Sequence, residues 1–260
     1  MTQLMPVLFI GHGSPMNALE NNRFTDKWTE VANSFTAPKA ILAISAHWYI
    51  DELAITANSQ NQTIHDFYGF PPALHNFNYP SKGSTKLATR VSSILNKAED
   101  KIKLHSDWGL DHGVWSILTH MYPKADIPVV QLSIKRDQKP EWHYQLGQQL
   151  QPLREEGVLI LASGNIVHNL GLLNWHKPDN GFPWAEEFDT QIASLLNVRD
   201  YANICNYQTL NNHQLAIPTD EHFLPLLYAV GAGSNAKEVR LFNQEPIYGS
   251  LSMTSVMFNN

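Results

Sequence analysis

The chain has 260 residues, of which 43% are hydrophobic, and its 18 Lys and Arg against 24 Asp and Glu give a net charge of -6. A chain of this length and hydrophobic content buries one large core, so we expect residues 1–260 to form a single domain. The acidic balance and the lack of a basic block exclude nucleic acid as an expected partner. No segment approaches the roughly 20 apolar residues of a membrane span, so no membrane association is expected.

Cysteine content and the start of the chain bear on the compartment. Cys205 is the only cysteine, which excludes an intrachain disulfide. The apolar stretch at residues 6–10 is too short for a signal peptide and has no basic cluster before it. We therefore expect a cytoplasmic protein that is a monomer or a small homo-oligomer. With 12 His and one Cys, a metal site would use imidazole and carboxylate ligands.

The predicted elements alternate between buried strands and amphipathic helices. Continuous apolar runs, typical of strands covered on both faces, occur at residues 6–10, 40–46, 128–134 and 158–162. Helical periodicity predicts helices at 84–98 and 183–196, with weaker candidates at 112–121 and 140–152. Alternating residues at 239–243 and 250–258 predict later strands. We predict an α/β fold with a mostly parallel central sheet, helices on both faces and an antiparallel edge near the C-terminus.

One long segment has no regular period. Residues 59–83 are rich in aromatic residues, Pro and Gly, which indicates a structured loop. His65, Phe67, Tyr68 and Phe70 lie in it. They are candidates for an aromatic wall against a substrate ring. Ordinary loop packing is an equally good interpretation.

Histidines follow three of the predicted strands by a few residues: His12, His47 and His168. Because ligands of parallel sheets bind beyond the carboxyl ends of the strands, we expect these side chains at one rim. A single histidine at a strand end is more often a hydrogen-bonded residue than a metal ligand. Three at equivalent positions favour a metal site.

A fourth histidine, His222, precedes a predicted helix at 223–230. Pro225 is tolerated only in the first turn of a helix, so the helix begins close to His222. The positive end of the helix favours a neutral imidazole, the form that binds metal. His112 begins another probable helix and is either a capping-region residue or a hydrogen-bond donor beside the metal.

Seven motifs occur in order along nearly the whole chain: GHGSPMNAL, SAHW, HDFYGFP, LDHGVW, SGNIVHNL, EHFLPLLY and GSLSM. Together they resemble the 4,5-DOPA extradiol dioxygenase family of the class III, protocatechuate 4,5-dioxygenase-like superfamily. The resemblance implies that His12, His47 and His222 hold one non-haem divalent metal per chain. It implies that His168 is a fourth ligand or the acid/base. It also implies cleavage of a catechol such as L-DOPA beside its hydroxyls by O2.

The ligand set departs from the superfamily pattern. Other class III enzymes complete a two-His, one-carboxylate site with a Glu, whereas the matching region here has His222, with Glu221 and Asp220 as further candidates. An all-His tetrahedral site suits zinc, and an open facial site suits Fe2+. We expect Fe2+ for activity and Zn2+ as an ion that the purified protein also carries.

The expected reaction uses His168 to remove a proton from the catechol and later return it, a contribution of about 10²–10⁴-fold. His112 would hydrogen-bond to oxygen or to a substrate oxygen. From L-DOPA, 4,5-cleavage would give seco-DOPA. A zinc-dependent hydrolase is one alternative, although the chain has no H-E-x-x-H element. A non-catalytic metal or small-molecule binding protein is the other, and O2 uptake distinguishes both from a dioxygenase.

Overall fold

A central β-sheet separates two hydrophobic cores. A computed structural model describes residues 4–95 and 102–260 of the chain. The strands are β1 (Val7–Gly11), β2 (Ala40–Ile50), β3 (Ala54–Thr56), β4 (Lys103–His105), β5 (Val129–Lys135), β6 (Val158–Gly164), β7 (Glu238–Phe242), β8 (Pro246–Ile247), β9 (Leu251–Ser252) and β10 (Ser255–Asn259). The α-helices are α1 (Arg23–Ala32), α2 (Pro72–His75), α3 (Thr85–Leu95), α4 (His112–Met121), α5 (Pro140–Gln149), α6 (Pro152–Glu155), α7 (Pro183–Val198), α8 (Tyr201–Cys205), α9 (His213–Ala216) and α10 (Leu224–Ala232).

The sheet is mixed, with a parallel centre. Its eight strands run in the order β4-β3-β5-β2-β6-β1-β10-β7. The four central strands β5, β2, β6 and β1 are parallel, whereas β10 and β7 add an antiparallel edge. A separate antiparallel pair joins β8 and β9. The predicted α/β class, the mostly parallel sheet and the antiparallel C-terminal edge are confirmed.

Side chains of the central strands alternate between two hydrophobic cores. In β1, Val7 and Phe9 face one core, and Leu8 and Ile10 face the other. One core packs against α3, α5, α7 and α10, and the other against α1 and α4. Both faces are therefore covered, which explains why the central strands read as continuous apolar runs.

Helix boundaries differ from the predicted ones where local chemistry intervenes. The predicted helix 84–98 begins at Thr85, and its residues 96–98 lie outside the described residues. The helix predicted over 140–152 ends at Gln149, because Pro152 lacks an amide proton and begins the separate helix α6. No helix in residues 4–95 and 102–260 is long and apolar enough to cross a membrane.

The predicted single strand 250–258 is wrong. The chain pairs first with β8 as β9 and then with β1 and β7 as β10. Between these strands it turns around a buried carboxylate, because Ser252 and Thr254 both donate hydrogen bonds to Asp189. Burial raises the pKa of Asp189, although the hydrogen bonds from Ser252 and Thr254 act to lower it.

The long segment 59–83 is a structured loop, as predicted. It contains the short helix α2 and bridges at Gln60 to Lys82 and at Thr63 to Leu110. The buried Asn61 amide donates to the backbone oxygens of Lys82 and Val129 at 3.1 and 3.0 Å. The bond to Val129 ties the loop to the amino end of β5 without regular secondary structure.

A glycine at the end of β6 permits a close backbone approach. A Cβ at Gly164 would lie 2.1 Å from the carbonyl oxygen of His222. The next amide, that of Asn165, donates to this same carbonyl at 2.8 Å. The segment before α10 is therefore positioned directly against the end of β6.

We expect Gly164→Ala to lower the free energy of unfolding by about 1–3 kcal/mol, because the added methyl group overpacks a rigid backbone contact. Urea denaturation measures the change. Gly171→Ala is the matched control, since the nearest atom to a Cβ there is the Asn169 Oδ1 atom at 3.4 Å. Equal stability of the two variants would contradict this account of Gly164.

Candidate metal centre

Three histidines converge beyond the carboxyl ends of the central strands. His12 directly follows β1, His47 belongs to β2, and His222 precedes α10 by two residues. One ligand nitrogen from each lies within 4.8 Å of the other two. The Nε2 atoms of His12 and His47 are 3.2 Å apart.

The position of His47 differs from the expected one. Strand β2 does not end before His47 but continues to Ile50. Its pairing with β5 is irregular between Ile44 and Tyr49, so His47 lies at a break in the ladder. Such irregularities redirect a side chain, which is how a residue within a strand reaches the rim.

Each of the three imidazoles has its Nδ1 atom against another polar side chain. The contacts are His12 Nδ1 to Ser163 Oγ at 2.9 Å, His47 Nδ1 to Asp66 Oδ2 at 3.0 Å, and His222 Nδ1 to Glu221 Oε1 at 3.0 Å. An imidazole that donates its Nδ1 proton has a lone pair on Nε2, the atom that then binds a metal.

The tautomer of His12 follows from the bond made by Ser163. The Ser163 hydroxyl donates its proton to the carbonyl oxygen of Gly113. It therefore accepts from Nδ1 of His12, which leaves the His12 Nε2 lone pair free. Gly113 permits this packing, because a Cβ there would lie 2.6 Å from Ser45 Oγ and 3.0 Å from a ring carbon of His47.

The spacing of the nitrogens suits a single ion. Two imidazole nitrogens, each about 2.1 Å from one ion in tetrahedral geometry, are about 3.4 Å apart. The 3.2 Å between the His12 and His47 Nε2 atoms is close to this value. The three histidines thus form a donor set that could hold one divalent metal ion.

The imidazoles of His12 and His222 are neutral. Burial, and then the neighbouring histidines, hold the pKa of His12 and of His222 well below its ordinary value. Neutrality of His222 is the state expected from the sequence, but its main cause is desolvation. Burial also acts to lower the pKa of His47, and Asp66 and Asp111 outweigh it, so that pKa is raised.

Asp66 joins the metal candidates to His112. Its Oδ1 atom lies 2.9 Å from His112 Nδ1 and accepts from the His112 amide at 3.1 Å. Its Oδ2 atom has no well-directed donor among the described residues, although His47 Nδ1 is 3.0 Å away. Burial acts to raise the pKa of Asp66, but the contacts with His112 and His47 hold it well below its ordinary value.

Asp66 and Ser163 were missed by the sequence analysis. Ser163 offered a signal, because it is a polar residue within the apolar run of β6, paired in register with Ser45 of β2. Asp66 lies beside His65 in the aperiodic loop, where no pattern indicates the direction of a side chain.

His168 packs face to face on His222. The two ring centroids are 3.4 Å apart and the planes differ by 7°. Among the described residues, one ring nitrogen of His168 lies within 4.8 Å of ligand atoms of His222 and Glu221. His168 is not part of the set formed by His12, His47 and His222. Burial lowers the pKa of His168 to about 4, so the ring is neutral near pH 7. This geometry favours the acid/base role over the role of fourth ligand.

The two carboxylates that precede His222 in the chain, Glu221 and Asp220, accept hydrogen bonds from neighbouring side chains. Glu221 accepts from His222 Nδ1 and from the Thr219 hydroxyl at 2.9 Å. Asp220 accepts from the Tyr49 hydroxyl at 3.0 Å. Neither carboxylate belongs to the three-histidine set in the described part of the chain.

The histidines open into a cavity of about 650 Å³. His12, His47, His112, His168 and His222 line its base, and the predicted aromatic residues Phe67, Tyr68 and Phe70 line its wall. His65 is not among the described lining residues. Its ring nitrogen Nε2 instead bonds to the carbonyl oxygen of Phe77 at 2.9 Å, so its predicted substrate contact is not supported.

The chain is similar to known ring-opening dioxygenases. Residues 6–257 match the family described as the catalytic LigB subunit of aromatic ring-opening dioxygenase. A 4,5-DOPA dioxygenase extradiol of Escherichia coli K12 is 42% identical over 97% of this chain and 94% of its own length. One from Beta vulgaris is 41% identical over 95% and 96%.

A solved structure has the same fold. The crystal structure of the uncharacterized protein JW3007 from Escherichia coli K12 superposes with a TM-score of 0.85 and is 38% identical, covering 98% of this chain and 100% of that one. The family match over nearly the whole chain and the relatives above 40% identity identify the enzyme class. The chain belongs to the LigB family of aromatic ring-opening dioxygenases and is an extradiol dioxygenase.

Proposed function

We propose that the protein cleaves the ring of a catechol such as L-DOPA, with O2 and one non-haem divalent metal ion. The observation that carries the proposal is the convergence of three imidazoles, each with its Nδ1 atom engaged, at the base of a 650 Å³ cavity. The relatives named as 4,5-DOPA dioxygenases support 4,5-cleavage of L-DOPA to seco-DOPA.

In this proposal His12, His47 and His222 hold the metal through their Nε2 atoms. Bound Fe2+ would supply the redox chemistry that lets a catechol react with dioxygen, which Zn2+ lacks. The protein holds the three imidazole ligands at fixed spacing and keeps bulk water away from their buried nitrogen atoms.

His168 is the proposed proton carrier. Its neutral ring lies in the cavity beside a metal ligand, so it can take a proton from a catechol hydroxyl as the substrate binds and return it to the product. Stacking on His222 fixes the plane of the ring. This arrangement orients the base without making it a ligand.

His112 is proposed to contact a substrate oxygen. Burial is the main cause of its lowered pKa, which makes it neutral near pH 7. Asp66 accepts a hydrogen bond from the Nδ1–H group of His112. The Nε2 atom of His112 therefore has a lone pair and accepts a hydrogen bond from a catechol hydroxyl. This proposed acceptor role differs from the donor role expected from the sequence, because Asp66 lies against Nδ1 of His112.

We further propose that residues 1–260 form one catalytic domain working in the cytoplasm as a monomer or a small homo-oligomer. The family match over 6–257 and the single buried cysteine support these points. A zinc hydrolase or a non-catalytic binding protein has no specific observation in its favour.

Activity should depend on the bound metal ion. Metal-free protein loaded with one equivalent of Fe2+ without oxygen should, on addition of L-DOPA and air, consume one O2 per catechol and give a yellow product. Zinc-loaded protein should consume none. An oxygen electrode and elemental analysis of the same samples measure both quantities, and no uptake with any of several catechols would contradict the proposal.

The roles of His168 and His12 should separate on substitution. His168→Ala should keep the metal and lose about 10²–10⁴-fold in turnover, because it removes a general base. His12→Ala should lose metal and turnover together. Elemental analysis after gel filtration tests both variants, and full turnover by His168→Ala would remove this residue from the mechanism.

Asp66 should control metal affinity. Asp66→Asn keeps the size of the side chain but removes the charge that orients His47 and His112, so we expect metal affinity to fall about 10–100-fold. Competition with a chelator measures it. Asp107→Asn, an exposed change of equal charge, is the control. Equal affinities of the two variants would show that Asp66 does not orient the ligands.

A further inference from the structure

The outer part of the cavity differs in chemistry from its histidine-lined base. Among the described residues, its lining contains no Lys or Arg. It contains one carboxylate outside the metal centre, that of Glu20, together with the aromatic residues Trp175, Tyr248 and Tyr68. A substituent that extends from a catechol ring at the histidines towards the cavity opening would meet these groups.

Glu20 has an exposed carboxylate at this cavity. Its backbone oxygen accepts from the Thr25 hydroxyl at 3.2 Å, but its side chain has no hydrogen bond or ion pair with the described residues. An unpaired carboxylate lining a cavity favours a cationic ligand group and disfavours an anionic one.

Arg23 is a cation that packs against a residue lining the cavity, and nearby carboxylates already compensate its charge. Its guanidinium carbon lies 4.5 Å from the ring centroid of the cavity residue Phe24. The same guanidinium binds Asp179 and Glu245 at 2.8 Å each. With two carboxylates on one guanidinium, Arg23 does not offer a site for a substrate carboxylate.

The exposed aromatic rings are a second and independent indication. Trp175 is 69% exposed and Tyr68 is 95% exposed, although both line the cavity. The rings of Trp175 and Tyr248 are 5.2 Å apart and tilted by 52°. Faces of Trp and Tyr attract ammonium groups and give no attraction to a carboxylate.

We propose that this cavity selects catechols whose side chain carries an ammonium group, and that it discriminates against catechols whose side chain carries only a carboxylate. The inference rests on the proposed function for the position of the catechol ring at the histidines. Glu20 and the aromatic rings of Trp175, Tyr248 and Tyr68 are the specificity-determining groups.

The expected selectivity is moderate, because these groups are open to solvent. An exposed ion pair changes affinity by up to about fivefold, and an exposed cation–π contact changes it by about two- to fivefold. Attraction of an ammonium combined with repulsion of a carboxylate should give about a tenfold difference, which falls as ionic strength rises.

Three catechols with the same ring and two-carbon link provide the test. Dopamine carries an ammonium, L-DOPA carries both charges, and 3,4-dihydroxyphenylpropanoate carries only a carboxylate. Calorimetry of the metal-loaded protein without oxygen should give the tightest Kd for dopamine, an intermediate one for L-DOPA and the weakest for the propanoate. Equal or reversed affinities would overturn the inference.

Two charge-matched variants show whether Glu20 is responsible. Glu20→Gln should lower the dopamine-to-propanoate affinity ratio about fivefold. Glu238→Gln removes the same charge at the start of β7. This residue lies at the end of the sheet opposite the histidines, so the variant should leave the ratio unchanged. A ratio unaffected by Glu20→Gln, or lowered equally by both variants, would also overturn the inference.

Oxygen uptake separates this inference from the proposed function. Uncharged 4-methylcatechol is the reference for ring cleavage. If it is cleaved but the charged catechols bind equally, the inference alone fails. If binding follows the expected order and no catechol consumes oxygen, the proposed function fails while the charge selectivity holds as a property of the binding site.

Discussion

The candidate metal centre depends on a polar contact at the far side of each imidazole. A histidine ring has two nitrogens, and only the one with a free lone pair binds an ion. Ser163, Asp66 and Glu221 engage Nδ1 of His12, His47 and His222, respectively. Without these contacts, the three rings could rotate and alternate between tautomers, and the same residues at the same rim would be a poor site.

The fold brings these partners together because parallel strands end at one edge. Ser163 comes from β6, His12 follows β1, and His47 lies in β2, and these three strands are direct neighbours. Asp66 reaches the edge from the long loop, and Glu221 from the segment before α10. The rigid sheet thus provides part of the centre, and less regular chain completes it.

Periodicity was sufficient to predict the four central strands of the sheet and the histidines nearest to them. The apolar runs of β1, β2, β5 and β6 are continuous because both faces are buried, and strand-end position then indicated His12 and His47. Pro225 indicated the start of α10 and so the place of His222. Asp66 could not be found this way, because it contacts a residue 46 positions away through a loop without a period. The outer part of the cavity could not be predicted either, because Glu20, Trp175 and Tyr248 come from separate segments that meet only in the folded chain.

The stacking of His168 on His222 has a mechanical consequence. The His168 amide donates to Ala216 at 2.9 Å, and the Asn165 amide donates to His222 at 2.8 Å. Two stretches of chain that are distant in sequence are thus joined by two backbone hydrogen bonds, and the rings of His168 and His222 stack between the same two stretches. These contacts join the proposed proton carrier to a candidate metal ligand, so a displacement of the His222 ring would also change the position of the base.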